Sequence, residues 1–163
     1  MAKRNEILLV EDDLALRTML RGILELNGFK VREAGQRNEA LDQLRDNPLI
    51  DVAILDLGLP PFAHQITEGI QILKEIQAEI LPVKVLVLTG QDQDAAALEA
   101  IREGAFDFLA KPAPAETILG AVKRARLFQQ KERELNREGI TRIALNAQRS
   151  EGLKGVRSDA EER

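Results

Sequence analysis

The chain contains no cysteine, no tryptophan and no tyrosine, and a single histidine, His64. The lack of cysteine excludes disulfide scaffolds, thiolate metal centres and cysteine nucleophiles, and it fits a reducing compartment. A Ser-His-Asp triad or a histidine-rich metal site would have to be built on His64 alone. Aromatic residues amount to 3% of the sequence, five phenylalanines, too few for a base-stacking nucleic-acid platform. The formal net charge of −4 gives no bulk attraction to nucleic acid, so direct nucleic-acid binding is not expected. No apolar run approaches membrane-spanning length, and the apolar part of MAKRNEILLV is too short for a signal peptide. A cytoplasmic protein without membrane contact is expected. No solenoid-type repeat is visible.

What is present is ordinary globular material: 163 residues, 44% hydrophobic and 31% charged. From Lys123 to the end, 11 Lys/Arg face 7 Asp/Glu, whereas the first 122 residues hold 12 against 20. The acidic part also carries nearly all the dense apolar segments. A compact acidic domain over 1–128 is expected, then a helical extension and polar linker over 129–163.

Five strand-length apolar runs stand out: Ile7–Val10, Lys30–Ala34, Val52–Leu55, Val83–Leu88 and Phe106–Ala110. Three of them (ILLV, VAILDL, VKVLVL) are nearly continuous, as in strands buried on both faces of a parallel sheet. Segments with helical spacing alternate with them. Leu16, Leu20, Ile23 and Leu24 share a face, as do Ala40, Leu41 and Leu44; Ile70, Leu73 and Ile76; and Ala97, Leu98 and Ile101. Ile118, Val122, Ala125 and Phe128 mark a last helix from Ala115 to about Glu138. Asn27-Gly28, Asn47-Pro48, Pro82 and Gly104 punctuate the pattern. Strand and helix alternate five times, which predicts a doubly wound parallel α/β sheet.

Ligands of such sheets bind outside the carboxyl ends of the strands. Glu11, Asp12 and Asp13 follow the first strand, Asp56 the third, Thr89 and Gly90 the fourth, Lys111 and Pro112 the fifth. Singly, each has a bland explanation. Acids favour the first turn of a helix, a threonine caps a strand, and Lys-Pro is common in loops. Jointly, four strand ends deliver carboxylates, a hydroxyl and an ammonium to one edge. Oxygen-only ligands suit Mg²⁺, with Mn²⁺ as a substitute. Metal, cation, hydroxyl donor and carboxylate together form a minimal kit for phosphoryl transfer. Asp56 is the candidate nucleophile, because it stands alone on the central strand and carboxylates form aspartyl-phosphates.

The segments ILLVEDDLALR, VAILDLGLP, VLVLTG and GAFDFLAKP resemble a two-component response-regulator receiver domain over roughly residues 5 to 128. That resemblance implies a (βα)5 flavodoxin-like fold with strand order 2-1-3-4-5. It implies Glu11, Asp12 and Asp56 as Mg²⁺ ligands together with the Gly58 backbone carbonyl, and Asp13 as an acidic neighbour. Asp56 is implied as the phosphoacceptor, Thr89 and Phe108 as switch residues, Lys111 as the site lysine, and Pro112 as a cis-proline. A sensor histidine kinase is implied as phosphodonor, with a possible homodimer through the fourth helix, fifth strand and fifth helix.

Two features depart from the family pattern. The run between Pro60 and Gly69 is several residues too long; it reads as an inserted surface loop, with His64 a solvated residue in it, or, overhanging the site, as a gate to partners or to phosphate loss. Ala113 stands where many relatives carry phenylalanine. DLGLPP, the long loop, EG and VLTGQ most resemble NtrC-type, sigma-54-dependent regulators of the PEP-CTERM-associated kind. Those continue into an ATPase domain, yet GxxxxGK[ST] is absent here. The output domain is expected to lie outside this chain; a natural single-domain receiver or phosphorelay member is the alternative. A small aspartyl-phosphate phosphatase would need an acid where Gly58 stands, and a flavin carrier would need a hydroxyl-rich phosphate loop where EDD stands.

Overall fold

A computed structural model describes residues 5–62, 64–90 and 93–161, with side-chain environments up to residue 138. The chain divides into two units, Met1–Gln129 and Gln130–Arg163. The first alternates β1 (Glu6–Val10), α1 (Leu14–Leu26), β2 (Lys30–Ala34), α2 (Arg37–Asp46), β3 (Ile50–Asp56), α3 (Thr67–Ala78), β4 (Lys84–Thr89), α4 (Asp94–Arg102) and β5 (Asp107–Ala110), and then enters α5 (Ala115–Glu161). The strands form one parallel sheet in the order β2-β1-β3-β4-β5. The expected doubly wound fold and strand order are therefore observed.

The two-residue period of the strands builds the core in two layers. Leu8, Val10, Ala53, Leu55, Val85 and Val87 face α2 and α3, where Leu41, Leu44, Ile70, Leu73 and Ile76 meet them. Ile7, Leu9, Val52, Ile54, Leu86 and Leu88 face the other way, onto Leu20 and Leu24 of α1 and Ile118, Val122 and Ala125 of α5. Burial on both faces is why these strands read as continuous apolar runs. On α4 the buried residues are Ala97 and Ala100, whereas Leu98 and Ile101 are exposed. The stripe expected from Ala97, Leu98 and Ile101 is thus not the one that packs inward.

Local signals position the elements that matter to the site. The Asp13 side chain accepts from Leu16 N at 3.1 Å and caps α1 directly after β1. Gly28 takes φ +85° in the turn that starts β2. Helix α3 begins at Thr67, so Gly69 lies in its first turn. A Cβ on Gly69 would stand 2.5 Å from Leu57 Cα and 2.8 Å from Leu57 O. Only glycine lets α3 close on the residue that follows Asp56. Gly69→Ala is expected to cost roughly 1–3 kcal/mol through overpacking against backbone. The midpoint of denaturant unfolding measures it; an unchanged midpoint would show that α3 shifts away freely.

Helix α5 is tied to the sheet by buried polar contacts. Arg126 Nε lies 3.3 Å from Oδ2 of fully buried Asp51, and Gln129 donates to the Pro82 carbonyl. Phe106 and Phe128 meet edge-on with ring centroids 5.1 Å apart. The helix expected to stop near Glu138 continues to Glu161. No described helix is long and apolar enough to cross a membrane.

Candidate phosphoacceptor and metal site

The register of the sheet assembles the site. Val10 pairs with Leu55, so Glu11 and Asp56 emerge side by side; Thr89 pairs with Ala110, so Lys111 emerges beside the end of β4. Lys111 N donates to Thr89 O at 2.7 Å, which continues the ladder one residue further. The Lys111–Pro112 peptide bond is cis, as is Pro60–Pro61.

Lys111 Nζ lies 3.1 Å from Asp56 Oδ2 and 3.5 Å from Glu11 Oε2. One ammonium thus bridges carboxylates from two strand ends. Asp56 Oδ1 accepts from Gly58 N at 3.1 Å. Glu11 is only 1% exposed. Its Oε1 accepts from Asp13 N at 3.1 Å, while its buried Oε2 makes no hydrogen bond and faces the Lys111 ammonium. Burial, then the neighbouring charge of Asp56, push the Glu11 carboxyl up to about 7. Burial disfavours the charged form of Lys111, yet the Asp56 and Glu11 carboxylates outweigh it and hold the ammonium above its ordinary range.

A buried carboxylate oxygen without a hydrogen bond, crowded by a second carboxylate, is an environment that a divalent cation relieves. Oxygens of Glu11, Asp12 and Asp56 lie within 4.8 Å of one another. They are hard, anionic, and unaccompanied by sulfur or nitrogen ligands, so the residues fit Mg²⁺. Receiver domains generally bind Mg²⁺ at such an acidic pocket.

Not every expected site residue joins this cluster. Asp13 turns away to cap α1. Thr89 is buried at the end of β4, next to the cluster in the sheet, and Phe108 is substantially exposed on β5. His64, expected as a solvated residue of the long loop, is exposed and also borders the site. Asp56, Gly58 and Lys111 line a common pocket with His64 and Gln65 from the long loop and Gln93 from the start of α4. A lone histidine in an irregular segment has no periodicity to place it, so only the fold could reveal this.

Comparison with known proteins agrees with this geometry. The response regulator receiver domain family matches residues 7–123. The chain is 34% identical over 125 residues to the C4-dicarboxylate transport transcriptional regulatory protein DctD of Pseudomonas aeruginosa, covering 75% of this chain and 25% of that protein. It is 31% identical over 120 residues to the transcriptional regulatory protein ZraR of Escherichia coli, covering 74% and 26%. The chain therefore spans about a quarter of the length of these curated relatives. Among solved structures, a response regulator receiver domain protein from Clostridium thermocellum superposes with TM-score 0.68 at 31% identity, over 80% of this chain and 98% of that one. NtrX from Brucella abortus gives TM-score 0.72 at 29% identity, over 80% and 28%. With strand order, acidic cluster and bridging lysine all in place, the chain belongs to the response regulator receiver domain family.

Proposed function

We propose that Asp56 is the phosphoacceptor of this receiver and takes its phosphoryl group from a phosphohistidine of a sensor kinase. A carboxylate oxygen of Asp56 attacks phosphorus, the donor's phosphorus–nitrogen bond breaks, and the electron pair stays on the donor imidazole. Glu11, Asp12, Asp56 and the Gly58 carbonyl would hold Mg²⁺, which supplies charge neutralisation to the phosphoryl oxygens. Lys111 exchanges its carboxylate partners for a phosphoryl oxygen, and the Thr89 hydroxyl donates to another. The observation that carries this reading is Lys111 Nζ held 3.1 Å from Asp56 Oδ2 at the carboxyl edge of the sheet. No separate substrate is turned over.

The output is a change of surface. Drawing Thr89 toward the phosphoryl group vacates space beneath the end of β4, and Phe108 turns inward to fill it. Leu98 and Ile101 of α4 and Phe108 of β5 expose apolar surface beside that change, which supports a homodimer through α4, β5 and α5. We further place the chain among NtrC-type, sigma-54-dependent regulators of the PEP-CTERM-associated kind, acting in the cytoplasm on transcription through a domain outside these residues.

Incubation with acetyl phosphate and Mg²⁺ tests the acceptor, and beryllofluoride with Mg²⁺ tests the switch. The beryllofluoride complex is expected to shift the monomer–dimer balance in sedimentation, and Thr89→Ala to blunt that shift. An identical response in the variant would remove Thr89 from the switch.

A further inference from the structure

The segment between Pro60 and Gly69 brings side chains to the rim of the proposed phosphoacceptor. A pocket of about 220 Å³ opens on the Asp56 carboxylate, and His64 and Gln65 form part of its wall. The segment is anchored on both sides of them. Leu59 is fully buried and its carbonyl accepts from Phe62 N at 3.2 Å. Gln65 N donates to Phe62 O at 2.8 Å, Ile66 packs on the core, and Glu68 pairs with Arg37 at 3.0 Å.

Hydrolysis of an acyl phosphate requires water to approach phosphorus opposite the departing carboxylate oxygen. A phosphoryl group on Asp56 would border this pocket, from which water can reach it. Three side chains there can engage a water: His64, Gln65 and Gln93. The Gln93 amide oxygen accepts from Gly90 N at 3.1 Å, and the Gln65 amide oxygen accepts from the Thr67 hydroxyl at 3.5 Å. Amides are not bases in any case. An imidazole can accept a proton from the attacking water, and His64, exposed at the mouth, can pass it on to bulk solvent.

We propose that His64 activates the water that hydrolyses the Asp56 phosphate, so that the loop carrying it shortens the life of the signalling state. The proposal rests on Asp56 being the phosphoacceptor. A water hydrogen-bonded to a ring nitrogen attacks phosphorus. The new phosphorus–oxygen bond forms as the bond from phosphorus to the Asp56 oxygen breaks, and that electron pair returns to the carboxylate. One water proton passes to His64 and then to solvent, and inorganic phosphate leaves.

The test labels the protein with radioactive acetyl phosphate and Mg²⁺, removes the donor, and follows inorganic phosphate release. His64→Ala is expected to slow release at least about a hundredfold, the lower side of what a positioned base contributes. Added imidazole should accelerate release from that variant and leave wild type unchanged. Phe62→Ala, in the same loop but outside the pocket wall, should release at the wild-type rate. A wild-type rate in His64→Ala, equal slowing in Phe62→Ala, or slowing that imidazole does not relieve would each overturn the proposal. Failure of wild type to take label at all would instead overturn the Asp56 assignment, and this inference with it.

Discussion

Asp56→Asn protein is expected to take up no phosphate from acetyl phosphate and Mg²⁺, while its circular dichroism matches wild type. The amide keeps the shape of the carboxylate and can still accept from Gly58 N, which lies 3.1 Å from Oδ1. What it loses is the anionic oxygen that attacks phosphorus. The change also removes one of the three clustered carboxylates, and the charge of Asp56 contributes to the raised Glu11 carboxyl. Against that, Lys111 loses a partner at 3.1 Å and keeps Glu11 at 3.5 Å. The fold should therefore tolerate the change even though the chemistry does not. Intact-mass spectrometry reads the outcome: one phosphoryl adduct on wild type and none on the variant. Stoichiometric uptake by the variant would place the acceptor elsewhere.

Asp12→Ala is expected to lose most of its Mg²⁺ affinity. The three carboxylates of the cluster come from one turn and one neighbouring strand end, and each offsets part of the charge of the cation. Glu11 is buried and also faces Lys111, whereas Asp12 is exposed and has no structural contact to lose among those described. Its removal therefore isolates the metal effect from stability. Losing even an outer-shell partner of a ligand weakens metal binding on the order of 10- to 100-fold, and loss of a ligand should do at least as much. With no tryptophan or tyrosine in the chain, titration calorimetry is the suitable readout. Unchanged affinity would remove Asp12 from the metal site.

The parts of the fold that were legible in the sequence are those where burial is strongest. Strands buried on both faces leave continuous apolar runs, and the predicted strands match the observed ones to within about two residues at either end. The strand-end rule then brought Glu11, Asp12, Asp56, Thr89 and Lys111 to one edge, because parallel register carries each strand end to its neighbour. The inward face of helix α4 is hard to read because alanine fills it, leaving the larger Leu98 and Ile101 on the outside. Helix α5 outruns its sequence signal because beyond Phe128 its sequence has little apolar periodicity. Its runs of Glu, Lys, Arg, Gln, Leu and Ala carry helical propensity with no stripe to mark it. The place of His64 beside the site is not legible in the sequence for a third reason. Its position depends on how Leu59, Ile66 and Glu68 anchor an irregular segment, which no local pattern encodes.

Reduction of the freshly phosphorylated protein with borohydride, followed by peptide mapping, locates the acyl phosphate directly. Only a phosphorylated carboxyl is reduced, to the corresponding alcohol. The expected result is conversion at Asp56 alone, dependent on Mg²⁺ and absent without acetyl phosphate. Conversion at Asp12, Asp13 or Glu11 with Asp56 intact would contradict the assignment of Asp56 as phosphoacceptor.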